Sequence, residues 1–300
     1  MFKRIAALFM AVVSFFQILF AGYIRYYRSN RIFLDQYYSD EKNERQTYDL
    51  VFPRKASGEL GLVLCIHGGG WVEGDKEPYT KSLMQVSDEY GFAAACMNYR
   101  YVSETVDFDD VMDDITSALK AIKIKGSEYG VSINKVLLTG ISAGGHLSLL
   151  YAYAKKDTAP IKPVCVVELC GPTDFENEFF YSEESSVAQA VGVEYFRNII
   201  GNGAGCRIES LNLDPVRTEL KKYSPINYID KDTVPTVFGH GEQDEIVPYQ
   251  NAVDLDEKLA EYGVEHTFIS FPNSGHGCED KASMSKIMEL FFGCAEKYLR

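Results

Sequence analysis

The stretch Val136-Leu137-Leu138-Thr139-Gly140-Ile141-Ser142-Ala143-Gly144-Gly145-His146 decides how the rest of the chain is read. Its first half is an apolar run of strand length. Its second half opens the apolar segment Ala143 to Ala154, which reads as a helix following directly on the strand. Short continuous apolar runs suit strands buried on both faces, as in a parallel sheet. Working outward, similar runs occupy residues 62–66, 92–97, 164–169, 234–238 and 266–271, and residues 48–52 read as an edge strand. Between them lie helical patterns. Phe108, Val111, Met112, Ile115, Leu119 and Ile122 recur at spacings of three and four, which places them on one helix face. Residues 252–262 and 284–299 are two further helices. The alternation predicts an α/β chain with a doubly wound, mostly parallel sheet.

One region breaks the alternation. From about 175 to 229 no strand appears where one is due, and Glu176, Glu178, Glu183 and Glu184 cluster with Phe179, Phe180 and Tyr181. A long insertion of this kind is expected to be a helical cap over the site, with a surface excursion as the bland alternative. The catalytic domain is expected over 46–300, with a linker or helix at 28–45 and an apolar N-terminal helix at 1–27. Residues 5–24 carry no charged side chain, enough to span a bilayer, and basic residues flank both ends. This predicts membrane association through residues 5–24. Secretion after signal cleavage and a helix packed on the enzyme are the alternatives. Basic flanks on both sides leave the orientation open.

The chain has 300 residues and a formal net charge of -13, which makes it a poor candidate for nucleic acid and its phosphates. Seven cysteines show no CxxC pair and no zinc spacing, so no metal is expected. Cys65, Cys96, Cys165 and Cys170 lie in or beside apolar runs and read as core residues. The odd count favours a reducing or disulfide-poor compartment. Cys278 follows His276 by two residues, and a thiol nucleophile there ranks below Ser142.

Gly140-Ile141-Ser142-Ala143-Gly144 fits G-x-S-x-G, in the strand-to-helix context the motif requires. The tight turn lifts the serine hydroxyl above the sheet, and the helix N-terminus favours developing negative charge. His67-Gly68-Gly69-Gly70-Trp71 follows the strand at 62–66. Glycines let backbone amides approach an oxyanion, so Gly69 and Gly70 are the expected donors, with Ala143 as the third. His67 is expected to hold this loop. Trp71 is expected to line the substrate pocket or to pack. Gly239-His240-Gly241-Glu242-Gln243-Asp244 ends another strand, and Asp244 can orient an imidazole, with Glu242 and Glu245 as competitors. Ser274-Gly275-His276-Gly277 follows the strand at 266–271 and supplies the general base, His276. His146, His240 and His266 are expected to serve structure.

Taken together, HGGGW, GISAGGH, GEQDEIVP and SGHG resemble the α/β-hydrolase esterases related to hormone-sensitive lipase and to acetyl- and feruloyl-esterases. Kynurenine formamidase-like enzymes belong to the same neighbourhood. Residues 98–101 through Asp113 and Asp114 resemble the loop and helix seen there, and the likeness runs from about Tyr48 to the C-terminus. The resemblance implies the fold, a Ser142–Asp244–His276 triad in the order Ser, Asp, His, and the oxyanion loop. It implies a small-molecule ester, with short or acetyl acyl groups, as substrate, and no cofactor. Amide hydrolysis by a peptidase or formamidase-like enzyme, and a catalytically silent binding protein, are the rival expectations.

Overall fold

The structure, a computed structural model, describes residues 31–182 and 192–300. Its strands are β1 (Ile32–Tyr37), β2 (Thr47–Val51), β3 (Gly58–Ile66), β4 (Ala93–Met97), β5 (Val131–Ile141), β6 (Lys162–Leu169), β7 (Thr236–Gly241) and β8 (His266–Phe271). They form one sheet in the order β1-β2-β4-β3-β5-β6-β7-β8. β1 with β2 and β2 with β4 pair antiparallel, and the remaining neighbours are parallel. The helices are α1 (Glu77–Tyr90), α2 (Phe108–Glu128), α3 (Ala143–Ala154), α4 (Val193–Ala204), α5 (Arg217–Lys222), α6 (Gln250–Glu261) and α7 (Lys281–Leu299).

Continuous apolar strands build two cores because successive side chains point to opposite faces. Leu62, Leu64 and Ile66 of β3 pack into the cluster that takes Val111, Ile115 and Leu147 from α2 and α3. Val63 and Cys65 pack on the other face with Leu83 of α1 and Ile287 and Phe291 of α7. The mostly parallel, doubly wound α/β sheet expected from the alternation is therefore present. α2 starts at a capping box in which Asp107 accepts from the Asp110 amide and Asp110 returns the contact. Its buried face carries the apolar residues spaced at three and four.

The open end of the sheet departs from expectation. β2, expected as an edge strand, is buried along its length between β1 and β4. The edge is β1, which occupies part of the 28–45 segment expected to be a linker or helix. An edge strand needs no apolar alternation when solvent covers one side. Asp35 and Gln36 interrupt the pattern, and the pairing with β2 shifts register between Phe33 and Gln36.

The 175–229 excursion joins β6 to β7, and its described residues include α4, α5 and short turns at Glu178–Tyr181, Asp214–Val216 and Pro225–Tyr228. Several of its aromatics face inward, while Phe179 and Tyr195 are exposed. Phe180 is buried and stacks on Phe196 at 5.6 Å, and Phe175 and Tyr223 pack on Phe108. The expected acidic cluster is partly neutralised, because Glu176 accepts from Arg217 at 3.0 Å. Glu183 and Glu184 lie outside the described residues, as does the apolar stretch at 5–24. Among the described residues no helix is long and apolar enough to cross a membrane.

Candidate active site

The loops at the C-terminal ends of β3, β5, β7 and β8 carry the expected site residues. Ser142 sits between β5 and α3 with φ 57° and ψ -123°, a strained conformation for a residue with a side chain. The flanking glycines are required by close approach. A Cβ on Gly144 would lie 2.1 Å from the Ile66 carbonyl oxygen, and one on Gly140 would lie 2.4 Å from Gly144 itself. The turn is tied down by Ser142 N–H donating to the Leu169 carbonyl and by His146 N–H donating back to the Ser142 carbonyl.

The glycine loop runs alongside. A Cβ at Gly68 would meet the Ser142 Cβ at 3.4 Å, and Gly69 and Gly70 take left-handed φ values of 119° and 57°. Val72 and Glu73 donate to the Gly69 carbonyl, so the Gly70 N–H, on the opposite side of the same trans peptide, points away from them. Among the described residues no backbone acceptor takes the N–H of Gly69, Gly70 or Ala143. Amides left without a partner at one place are the raw material of an oxyanion hole.

His67 is fully buried and neutral. Burial pushes its pKa down to about 4, and the Arg45 charge adds to this against the Gly68 carbonyl. Arg45 Nη2 lies 3.0 Å from His67 Nε2, so Nε2 accepts and Nδ1 carries the proton, donated to the Gly68 carbonyl at 2.7 Å. Arg45 also donates to Asp75 at 2.9 Å and to the Gly74 carbonyl at 3.2 Å, and lies over the Tyr101 ring. The loop after β4 is anchored separately, by Arg100 on Asp110 and Asp114.

Trp71 is buried rather than lining an open pocket. Its indole N–H donates to His146 Nδ1 at 3.1 Å, and its ring meets Phe108, His146 and Phe175 edge-on. Large aromatics bury when their polar edge finds a partner, and His146 supplies it. His146 in turn donates from Nε2 to the Tyr223 carbonyl at 2.8 Å, and burial lowers its pKa to about 4. It serves packing, as expected.

Asp244 and His276 meet across the β7 and β8 loops. His276 Nδ1 lies 2.7 Å from Asp244 Oδ2, and the Asp244 side chain is fully buried. Oδ1 accepts the amides of Ile246 and Val247 at 2.8 and 2.9 Å. Burial by itself would raise this carboxyl. The His276 charge and the hydrogen bonds from His240 and His276 outweigh it and hold the carboxyl well below the usual range. Glu242 instead accepts from Ser270 on the surface, and Glu245 is exposed. Among the described residues the Ser142 hydroxyl makes no hydrogen bond, to His276 or to any other group. Catalytic hydrogen bonds are often open before substrate binds.

The sequence reading did not anticipate Arg45, Glu168 or the contact of His240 with the acid. His240 Nε2 lies 3.1 Å from Asp244 Oδ2 and 2.9 Å from the Val247 carbonyl, giving the acid a second imidazole. The i,i+4 spacing within GHGEQD was the available signal. Glu168 is buried in β6 behind the serine turn and accepts the Gly171 amide at 2.8 Å. Burial raises its pKa to about 8, so it is largely protonated near neutrality. Cys170, His240 and Asp244 offer atoms within 4.8 Å of one another, a spacing that could hold a metal ion. Both Asp244 oxygens, however, are already engaged by N–H donors, which fits a hydrogen-bonded acid better than a ligand.

Residues 48–259 match the family described as BD-FAE. The chain is 25% identical over 208 residues to the probable carboxylic ester hydrolase LipM of Mycobacterium tuberculosis, covering 68% of this chain and 46% of that protein. It is 28% identical over 245 residues to acylamino-acid-releasing enzyme 1 of Oryza sativa subsp. japonica, covering 76% of this chain and 29% of that one. It thus spans less than half the length of either relative. The crystal structure of esterase B from Lactobacillus rhamnosis superposes with a TM-score of 0.71 at 19% identity, over 98% of this chain and 94% of that one, and shares the fold. The chain belongs to the BD-FAE family, within the α/β-hydrolase esterase superfamily.

Proposed function

We propose that the protein hydrolyses carboxylic esters of small molecules through an acyl-enzyme on Ser142, with His276 as general base and Asp244 as its orienting acid. The observation that carries this reading is the 2.7 Å contact between His276 Nδ1 and a fully buried Asp244, on loops beside the strained serine turn. A proton held at Nδ1 leaves Nε2 as the acceptor, the tautomer a base needs. His276 takes the Ser142 proton as the oxygen attacks the acyl carbon. The amides of Gly69, Gly70 and Ala143 receive the oxyanion. The imidazolium then protonates the leaving alcohol, and water activated by the same nitrogen releases the acid. Short acyl groups, acetyl among them, are the proposed substrates. The 175–229 excursion, packed through Phe175 against His146 of the serine-bearing helix and through Tyr223 against Phe108 of α2, is proposed as the cap that shapes the pocket.

Ser142→Ala tests the assignment. Hydrolysis of p-nitrophenyl acetate and labelling by a fluorophosphonate should both disappear, with the far-ultraviolet circular dichroism unchanged. Retained turnover in the variant would sink it, and so would a wild-type chain that never labels.

The likeness to acylamino-acid-releasing enzyme 1 over 76% of this chain favours amide hydrolysis as the second reading. Comparing kcat/KM on p-nitrophenyl acetate and on aminoacyl p-nitroanilides separates the two. Membrane attachment through residues 5–24 is proposed on their uncharged composition, with secretion after cleavage as the alternative.

A further inference from the structure

Behind the Asp244–His276 pair two sulfurs face each other. Cys170 directly follows β6 and Cys278 follows His276 by two residues, 108 positions along the chain, yet their Sγ atoms lie 2.9 Å apart. Both residues are buried, at 0% and 2% exposure. Both hold left-handed φ values, 52° and 49°, which side chains adopt only when their surroundings impose it. Cys170 is fixed by its amide on the Gly239 carbonyl and Cys278 by its amide on Gly275. Two separately anchored turns therefore present their sulfurs to each other, within about 0.9 Å of disulfide bonding distance.

The other cysteines are arranged differently. Cys65 and Cys96 are opposite on neighbouring strands, but the Cys96 sulfur is taken up by Thr80 Oγ1 and the Lys76 carbonyl, each at 3.5 Å. Cys165 approaches Cys294 across β6 and α7, and its thiol also donates to the Val166 carbonyl at 3.6 Å. Neither alternative touches a loop that carries a site residue.

We propose that Cys170 and Cys278 are a disulfide-forming modification site that takes a low-molecular-weight disulfide as oxidant and pins the His276 loop to the end of β6. Cys278, on the loop whose neighbours Gly275, His276 and Glu279 reach solvent, reacts first. Its thiolate attacks one sulfur of the oxidant RSSR, forms a mixed disulfide and releases RS⁻. The Cys170 thiolate then attacks the Cys278 sulfur and expels the second RS⁻. The two thiol protons end on the departing thiols, so two cysteines are oxidised and one RSSR becomes two RSH. Burial, Cys278 and the Asp244 charge keep the Cys170 thiol protonated, which makes the second step the slow one. The product closes a loop of more than 100 residues, a length at which a cross-link restricts the unfolded chain strongly. The bond itself does not depend on the hydrolase reading. Its consequence for the base, His276, rests on it.

The test compares the full chain after equilibration with oxidised glutathione and after dithiothreitol. The expected result is a tryptic Cys170–Cys278 linked peptide in the oxidised sample and a melting midpoint higher by roughly 5–10 °C. Slower hydrogen exchange over 274–279 should accompany it. Cys170→Ser and Cys278→Ser should each abolish the linked peptide and the difference in midpoint. Free thiols at both positions, a Cys165–Cys294 link in their place, or a bond without a shift in midpoint would overturn the proposal. The wild-type comparison needs no variant to fold. Fluorophosphonate labelling is read in the same samples. A chain that forms the bond but never labels overturns the hydrolase reading and leaves the cross-link standing.

Discussion

His67 and His276 look alike in sequence, each next to glycine in a loop that follows a strand. Their surroundings make them opposites. His67 has a guanidinium on Nε2 and a carbonyl on Nδ1, so both ring nitrogens are spent inside the protein. His276 has a buried carboxylate on Nδ1 and retains 11% side-chain exposure. A cation beside an imidazole opposes its protonation. An anion beside it stabilises the imidazolium that forms when it accepts a proton. Burial and the charge of the partner together, not the glycines around the ring, separate a loop fastener from a candidate base: His240 shares the Asp244 carboxylate but is sealed in the protein.

The sharpest way to break this comparison is to delete each ring in turn. His276→Ala should lower kcat on p-nitrophenyl acetate by about 10⁴-fold or more with little change in melting midpoint. His67→Ala should do the reverse, costing several degrees of midpoint but only on the order of 10-fold in rate. Equal losses in rate would mean that both rings act in the reaction. Next in size is Asp244→Asn, which keeps the shape but removes the anion. It should cost about 10³–10⁴-fold in kcat, read in the same assay. A loss under 10-fold would show that His240 or the backbone can orient His276 without the charge.

Arg45→Ala addresses the other histidine. Without the cation, His67 loses its Nε2 donor and Gly74 its tether, so the oxyanion loop should loosen. We expect kcat to fall roughly 10-fold with KM within about 2-fold, since a donor displaced at the transition state costs rate rather than ground-state binding. Arg45→Lys should recover only part of this, because an ammonium cannot make the forked contacts to Asp75, His67 and Gly74 together. A rise in KM with unchanged kcat would instead place Arg45 in substrate binding.

These residues also mark where the sequence could be read. The parallel core was legible because residues 62–66 of β3, β4 and residues 164–167 of β6 are uninterrupted apolar runs, and burial leaves no polar alternation to confuse them. The candidates Ser142, Asp244 and His276 were legible because short glycine-bearing motifs follow β5, β7 and β8. β1 was not, since an edge strand holding Asp35 and Gln36 has no pattern that separates it from a linker. Arg45 was missed for a related reason. Its partners lie 22 to 56 residues away, and only pairing of β1 and β2 beside β4 brings it to His67. Trp71 was open between lining and packing because the choice depends on His146, on a different element. Glu168 hid as a single polar letter in an apolar strand.

The smallest expected effect is thermodynamic. His67 and His146 have pKa values lowered by burial from 6.5 to about 4. Between those values the unfolded chain binds protons that the folded chain does not, so stability rises with pH up to about 6.5. Glu168 runs the other way. Its pKa is raised by burial from 4.5 to about 8, so the folded chain holds a proton that the unfolded chain has lost, and stability falls as pH rises across that window. Two histidines oppose one glutamate below pH 6.5, and the glutamate acts alone above it. Asp244, held low, contributes its change only on the acid side of both windows. The melting midpoint should therefore peak near pH 6.5. Glu168→Gln should flatten the decline between pH 6.5 and 8 by a few degrees, and His67→Asn should make the acid limb shallower. An acid limb unchanged in His67→Asn would mean that His67 can be charged in the folded protein, and with that the contrast between the two glycine-flanked histidines would fail.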